Sequence, residues 1–441
     1  MPECSPLSTA RFDAVIFDLD GWLQPSEIDL PLSFPPQRID YRAVRRAKIR
    51  LLRRACEKLA SRGHVEDYQR FCTRNSWLRD YALFTALSRH FTKQQWCDWP
   101  KALRERRPKA LQEAEKRFET EIEATCMEQF FFYGQWRMLR DYCGQSGVRI
   151  IGDMPIYVPF HSTEVWLDPD VFKLDAHRKP KAVSGVPPDY FSSTGQLWGH
   201  PVYDWEGLRR QGFKWWLDRT AHLLSLFDGL RIDHFRGLVA FWEVPAGHGT
   251  ALEGEWREAP AEELLASMLR RFGPLALIAE DLGTIDAPVR EIMLRFRLPG
   301  MRVLLFAFGD DFPAGSFLPH NYVRHCVAYT GTHDNNTVLG WYRKESGPQE
   351  KKRLRIYLGR DVEPELLSWE LIRLLMQSAA DTVITPVQDL LGLDESARMN
   401  QPARRHGNWR WRLLPGALSN DLADRLKELT AVSGRACPEQ L

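Results

Sequence analysis

The sequence lacks several features that would place it in a narrow class. Its 60 Lys and Arg residues nearly balance 58 Asp and Glu residues, for a net charge of +2, so neither a nucleic-acid footprint nor an acidic tail is indicated. The eight cysteines are scattered, without a CxxC pair or a Cys/His cluster. This pattern argues against a zinc site and for free thiols in a reducing compartment.

Signals for export or membrane insertion are also missing. Residues 1–5 lack the basic and apolar regions of a signal peptide, and no uninterrupted apolar run reaches membrane-spanning length. We therefore expect a cytoplasmic protein with neither a membrane nor a nucleic-acid partner. The sequence does not indicate an oligomeric state.

Aromatic side chains, by contrast, are plentiful, with 16 Trp and 12% aromatic residues. Flat aromatic faces suit sugar rings, but a Trp-rich core is an equally good explanation, and composition does not choose. Residues 12–23 resemble the first motif of haloacid-dehalogenase-type phosphatases, with Asp18 and Asp20 before a glycine. That family has Thr or Val where this chain has Trp22, and nothing downstream supplies the rest of its site, so we set this alternative aside.

The spacing of apolar residues and a proline-rich segment divide the chain into four predicted parts. A strand and loop over residues 1–36 end at a proline-rich joint, and apolar stripes at helical spacing then predict a helical insertion over 37–147. One stripe contains Leu51, Ala55 and Leu59, and another contains Leu111, Ala114, Phe118 and Ile122. Strands alternating with helices are expected over 148–415, and a C-terminal helix or tail over 416–441.

Six short apolar segments after residue 147 read as parallel strands separated by amphipathic helices such as 213–226 and 261–272. The segments are 148–153, 230–233, 276–281, 301–306, 327–334 and 383–389. Most end in a polar or acidic residue, which favours a (β/α)8 barrel of the TIM type with its site at the carboxyl face. In a doubly wound open sheet, strands would also alternate with helices along the chain, but such a sheet would not need acids at so many strand ends.

Three acids define the candidate site. Asp233, Glu280 and Asp334 each end a different predicted strand, and Arg231 projects to the same face as Asp233 because strand side chains alternate. Two convergent carboxyls can divide into nucleophile and general acid when their environments separate their pKa values. A carboxyl cluster can equally hold Mg²⁺. Arg231 and His333 beside the acids favour charge pairing, so we expect no metal and no cofactor.

The motifs around these acids resemble the amylomaltases, or 4-α-glucanotransferases, within the α-amylase-like retaining barrels. The resemblance extends over about residues 35–414. The matching stretches are IGDMPIY (151–157), GVPPDYF (185–191), GQLWG (195–199), LRIDHFRG (230–237), AEDLG (279–283), TGTHDN (330–335), QDLLG (388–392), RMN (398–400) and NWRWR (408–412).

This resemblance implies roles for individual residues. Asp233 falls at the nucleophile, Glu280 at the acid/base, Asp334 at the carboxylate that grips sugar hydroxyls, and Arg231 at the group that orients the nucleophile. The loop over 187–198 resembles the one that lies over the glucan. The implied substrate-binding set is Arg231, His234, His333, Asp153, Tyr157, Tyr190, Gln196, Trp198 and Asn335.

The implied function is transfer of α-1,4-glucan segments from a maltodextrin donor to glucose or another maltodextrin, by retaining double displacement. An α-glucan hydrolase with the same three acids is one alternative, and a truncated glucan-binding remnant with weak or no activity is another. We expect the family's N-terminal strands to be missing, leaving about six barrel strands. Residues 15–20 are expected to pack outside the barrel, and the chain to be poorly stable, prone to association and weakly active.

Overall fold

The computed structural model describes residues 35–62, 65–188, 192–402, 404 and 406–436. Their contacts divide the chain into two compact units. We call the described residues between 48 and 298 unit A, and those in 35–47 and 299–436 unit B.

The described part of the predicted helical insertion, residues 37–147, is mostly helical, as its periodicity predicts. Its six helices are α1 (Tyr41–Arg62), which crosses the boundary between the units, α2 (Val65–Arg74), α3 (Trp77–His90), α4 (Lys101–Arg104), α5 (Pro108–Arg117) and α6 (Glu119–Gln145). Leu51, Ala55 and Leu59 are buried on one side of α1. The second predicted stripe is shared between two helices, because α5 ends at Arg117 and α6 begins at Glu119.

Unit A continues with seven strands and five further helices. The strands are β1 (Ile151–Met154), β2 (Ala182–Val186), β3 (Gln196–Pro201), β4 (Gly229–Ile232), β5 (Ala240–Pro245), β6 (Glu255–Glu258) and β7 (Leu277–Ala279). The helices are α7 (Thr163–Leu167), α8 (Trp205–Arg210), α9 (Lys214–Leu226), α10 (Ala261–Phe272) and α11 (Ala287–Arg295). Strands β1, β4 and β7 pair in parallel in that order.

The other four strands of unit A form an antiparallel sheet in the order β3-β2-β5-β6, which the sequence did not predict. Buried and exposed residues do not alternate strictly along these strands. In β2, for example, the consecutive residues Ser184 and Gly185 are both buried. Gly185 is required there because a Cβ would come within 2.6 Å of the Gln196 carbonyl oxygen. Close packing of this kind depends on the partner strand, so it leaves no periodic signal.

Unit B holds three parallel strands in the order β8 (Gly300–Val303), β9 (Cys326–Tyr329) and β10 (Thr382–Ile384). Its helices are α12 (Val338–Gly340), α13 (Pro348–Leu358), α14 (Pro364–Met376), α15 (Val387–Leu390) and α16 (Asn420–Val432). All four residues of β9 are buried, as expected of a parallel strand covered on both faces.

The six parallel strands in the described residues fall within the six predicted segments, apart from end shifts of one residue, and each is followed along the chain by helical turns. The predicted α/β class is therefore confirmed. The expectation for residues 15–20 lies outside the described residues, and the four-part division of the chain stays a prediction. Among the described helices, none combines the length and apolar character needed to cross a membrane.

Candidate active site

Asp233 and Glu280 leave the tips of two adjacent strands of unit A. Ile232 of β4 is in register with Ala279 of β7, and the two acids are the next residue along each chain. The Glu280 amide donates to the Ile232 carbonyl at 3.1 Å, which continues the ladder past the strand end. Neighbouring strands lie about 4.8 Å apart and residues in register face the same way. The two carboxylates therefore start from the same edge and the same face.

Arg231 fixes Asp233 from the side. One guanidinium nitrogen lies 3.0 Å from the Asp233 carboxylate, and the other donates to Asp153 Oδ1 at 2.7 Å. Asp153 is the register partner of Arg231 on β1. The Arg231 side chain is 13% exposed whereas that of Asp233 is 41% exposed, so the cation is largely removed from water and the carboxylate remains accessible. A cation in this position stabilises the ionised form of Asp233.

Glu280 occupies the opposite environment. It is only 8% exposed, and burial is the main reason that its pKa rises to about 7, with the negative charge of Asp233 adding to the increase. The Arg231 charge lowers this pKa, as do two amide donors: His234 N to Oε2 at 2.6 Å and Leu282 N to Oε1 at 2.9 Å. Because burial outweighs these effects, Glu280 holds a proton near neutral pH, as a general acid must.

His234 turns the chain so that its amide reaches Glu280. Its backbone is left-handed, with φ 49°, and its ring meets Trp198 edge-on at 4.8 Å. Gly237 lies close beside it, and a Cβ there would lie 3.0 Å from the His234 ring and 2.5 Å from Ile156 Cδ1, so a larger residue would force these side chains to shift. Burial lowers the pKa of His234 to about 4, helped by the charge of Arg236. The neutral ring has one donor and one acceptor for hydroxyl groups.

Trp198 stands on β3 with its partner Gln196 two residues before it on the same face. Its indole nitrogen lies 3.3 Å from Gln196 Oε1, and Tyr157 packs against it at 6.2 Å. Tyr157 is buried and stacks on Tyr203, so it supports Trp198 from the core side. The structure thus joins Trp198 to His234 and the acid pair. Tyr190 lies outside the described residues.

Arg236 was missed as a functional candidate, although it is part of the 230–237 motif. It is buried, and one of its nitrogens donates to Thr284 O at 3.0 Å and to Asp286 at 2.9 Å. Its guanidinium also lies 3.9 Å from the Trp256 ring centre. Arg236 therefore ties the segment after β4 to the segment after β7, which are the two segments that follow the acids.

Asp334 lies in unit B, in the loop after β9. Its Oδ1 accepts from Asn400 Nδ2 at 2.6 Å, and its backbone carbonyl accepts from Arg398 at 2.8 Å. His333 Nε2 lies 3.5 Å from the other carboxylate oxygen. The Asp334 side chain is 40% exposed. Its orientation therefore depends on Arg398 and Asn400, whose motif was noticed in the sequence but given no role.

The remaining candidates of unit B lie beside Asp334 but differ in what they contact. Asn335 Oδ1 accepts from both the amide and the hydroxyl of Thr332, so this oxygen closes the loop on itself. His333 packs against Trp409 at 5.3 Å between ring centres. Trp409 is half exposed and left-handed, with φ 58°; it belongs to the NWRWR motif, for which the sequence indicated no role.

No group of three or more His, Cys, Asp or Glu side chains within the described ranges is arranged to hold a metal ion. The expected absence of a cofactor stays a prediction.

Comparison with known proteins agrees with this geometry. A family model described as 4-alpha-glucanotransferase matches residues 8–418. A 4-alpha-glucanotransferase from Thermus thermophilus is 45% identical over 412 residues, covering 91% of this chain and 82% of the relative. A chloroplastic/amyloplastic 4-alpha-glucanotransferase from Solanum tuberosum is 40% identical over 425 residues, covering 94% and 73%.

Among solved structures, an amylomaltase from Streptococcus agalactiae in complex with acarbose superposes with a TM-score of 0.91 at 34% identity. The match covers 96% of this chain and 85% of that one. The chain therefore has the fold of that amylomaltase, which confirms the predicted barrel class.

Proposed function

The chain belongs to the 4-alpha-glucanotransferase family, and from this premise we propose that Asp233, Glu280 and Asp334 transfer α-1,4-glucan segments between maltodextrins. Transfer of glucan is the activity of the family. The assignment of steps to residues, the maltodextrin donor and the glucose or maltodextrin acceptor are the proposal.

In the first step, Glu280 donates its proton to the glycosidic oxygen while Asp233 attacks the anomeric carbon. The bond between that carbon and the leaving oxygen breaks as the bond to Asp233 forms, which gives a covalent β-glucosyl-enzyme and a shortened glucan. The two environments support this division. Glu280 has a pKa of about 7 through burial, and the Arg231 guanidinium 3.0 Å from Asp233 favours the ionised form of that carboxylate.

In the second step, an acceptor glucan takes the place of the released glucan and presents its 4-hydroxyl to the anomeric carbon. Glu280, now ionised, takes the proton of that hydroxyl, whose oxygen attacks the anomeric carbon from the same side and releases Asp233. Two inversions restore the α-linkage, which requires carboxyl groups about 5–5.5 Å apart. Their origin on adjacent strands in register supports such a separation.

Binding groups then decide between transfer and hydrolysis. Asp334 would grip ring hydroxyls more strongly in the transition state than in the ground state, which accelerates the step. The neutral His234 ring would exchange hydrogen bonds with the sugar, and Trp198 would shield the intermediate from water. A sugar acceptor then outcompetes water for the glucosyl-enzyme.

The observation that carries the proposal is the contrast between buried Glu280 and accessible, Arg-paired Asp233 on neighbouring strand tips. Incubation of the purified chain with maltotriose tests it. We expect a ladder of longer and shorter maltodextrins, shifted to shorter products by added glucose. Release of glucose without longer products would instead identify a hydrolase. Absence of any product would contradict the transferase proposal and favour a protein that only binds glucan.

We also propose that the protein works in the cytoplasm. The reason is that its cysteines are scattered along the sequence, a pattern typical of free thiols in a reducing compartment. Quantification of free thiols in protein isolated with a thiol-blocking reagent tests this; a disulfide in that material would contradict it.

A further inference from the structure

A buried carboxylate that the proposed mechanism does not use lies in unit B. Asp389, on α15, is completely buried. Its Oδ2 accepts from the Thr330 hydroxyl at 2.6 Å, and its Oδ1 accepts from the Val338 amide at 2.8 Å. Burial raises the pKa of Asp389 to about 6 although both hydrogen bonds lower it. Burying a carboxylate is costly unless its oxygens are hydrogen-bonded, so these two contacts fix its position.

The two partners of Asp389 bracket one loop. Thr330 follows the last residue of β9, and Val338 is the first residue of α12. The segment between them, residues 331–337, carries His333 and Asp334. One side chain therefore holds both ends of the loop on which the proposed sugar-gripping carboxylate stands.

Gln388, the residue before Asp389 on α15, contacts the segment whose side chains bind Asp334. Gln388 Nε2 donates to the Ala397 carbonyl at 3.3 Å, immediately before Arg398. Arg398 donates to Asp334 O and pairs with Glu345 at 2.7 Å, and Asn400 donates to the Asp334 carboxylate. Helix α15 thus fixes the loop and the segment that orients the carboxylate on it.

We propose that Asp389 is a positioning residue for Asp334, which clamps both ends of the 331–337 loop so that the Asp334 carboxylate meets the sugar ring in the transition state. This inference rests on the proposed function of Asp334. It predicts that Asp389 acts through hydrogen-bond geometry and only through Asp334, without contacting substrate itself.

Three variants separate the clamp from general stability. Asp389→Ala removes both contacts, and a displacement of about 1 Å in a catalytic group can cost about 10²-fold, so we expect kcat to fall by about that factor with KM nearly unchanged. Asp389→Asn keeps both contacts, because its amide oxygen accepts from Val338 N and its NH₂ donates to the Thr330 hydroxyl; kcat should stay close to wild type. Thr330→Val removes one contact, so its kcat should lie between those of Asp389→Ala and Asp389→Asn.

Ser368→Ala serves as the matched control, since the Ser368 hydroxyl is buried in unit B and has no hydrogen-bond partner among the described residues. Its kcat should equal that of wild type. Thermal unfolding of every variant confirms that kinetics are measured on folded protein. If Asp389→Ala does not fold, Thr330→Val takes its place.

The decisive measurement is a double-mutant cycle with Asp334→Asn, using α-maltosyl fluoride as an activated donor so that low rates can be followed. If Asp389 acts through Asp334, the double variant is no slower than Asp334→Asn alone. Additive losses would overturn the inference, as would a wild-type kcat in Asp389→Ala or an Asp389→Asn variant as slow as Asp389→Ala. Wild-type activity in Asp334→Asn would instead overturn the proposed role of Asp334 itself.

Discussion

The acid pair of unit A and Asp334 of unit B both stand beyond strand ends, yet they are positioned by different means. Asp233 and Glu280 follow register partners, and the groups that adjust them, Arg231, His234 and Leu282, lie within two residues of one acid or the other. Asp334 is held by Asn400, 66 residues away. The first arrangement is therefore set by the pairing of two strands and by groups beside each acid, whereas the second depends on a segment that returns from farther along the chain.

The two regions also differ in how charge is controlled. Glu280 is buried, and desolvation raises its pKa. The charge of Arg231 and two backbone amides lower this pKa by a smaller amount. The Asp334 side chain is 40% exposed, and hydrogen bonds fix its direction. Sensitivity to pH is therefore expected from unit A, and sensitivity to geometry from unit B.

The largest effects are expected when the acid pair is broken. Asp233→Asn removes the proposed nucleophile, and Glu280→Gln removes the proposed proton transfer, a step worth about 10²–10⁴-fold in rate. Both should abolish the maltotriose ladder while circular dichroism shows an intact fold. With α-maltosyl fluoride, whose leaving group needs little protonation, Glu280→Gln should form the covalent intermediate and Asp233→Asn should not. Wild-type turnover on maltotriose in either variant contradicts the mechanism.

A smaller but distinctive effect is expected from pH. If protonated Glu280 is the acid, as proposed, its pKa of about 7 means that kcat/KM should fall about tenfold per pH unit above that value. Arg231→Met removes a charge that lowers the pKa of Glu280, so the alkaline limb should move to higher pH as activity drops. A profile that stays flat to pH 9 in the wild type would remove Glu280 as the acid.

The same pKa makes a prediction about stability. Glu280 has a folded pKa of about 7 against an ordinary value of 4.5, so the folded state binds the extra proton between these values. Its contribution to the free energy of unfolding is complete below pH 4.5 and is lost as pH rises through 7. Glu280→Gln should therefore gain stability relative to wild type over that range, by up to about 3 kcal/mol. Urea unfolding at pH 5 and pH 8 measures the gain, and an unchanged difference would contradict the assigned burial.

A loss of about tenfold is expected when the support of Asp334 is weakened. Asn400→Ala removes a hydrogen bond to a charged group, worth about 1.5–3 kcal/mol, and should lower kcat with a normal pH profile. Asn400→Asp places a like charge beside Asp334 and should be slower still. The control is Asn321→Ala, because Asn321 binds backbone carbonyls elsewhere in unit B. Equal rates in Asn400→Ala and the control would show that Asp334 does not need this support.

The smallest effect is expected at Trp198, which joins the acid pair to the antiparallel sheet through His234. Trp198→Ala should raise glucose release relative to transfer by about twofold to tenfold, the range that aromatic contacts contribute. Trp198→Phe keeps the flat ring and loses only the bond to Gln196, so it should change the ratio less. Product analysis at several acceptor concentrations gives the ratio; no change in Trp198→Ala would leave the ring without a role in excluding water.

The sequence predicted the helical block and the six parallel strands because both follow from local periodicity. It also predicted Arg231 beside Asp233, since alternation along one strand decides that contact. It did not predict the antiparallel sheet, in which Gly185 approaches the backbone of β3 closely. Nor did it identify the contacts of Arg236 with Thr284 and Asp286, which join segments about 50 residues apart.

By itself, then, the sequence determined which carboxylates end the strands and which cation accompanies the first of them. Only the tertiary structure decided that Glu280 is buried enough to hold a proton, and that Asn400 and Arg398 grip Asp334 while Asp389 clamps its loop. The physical reason is the range of each effect. Side-chain alternation acts over two residues, whereas desolvation and hydrogen bonds between distant segments exist only after the chain has folded back on itself.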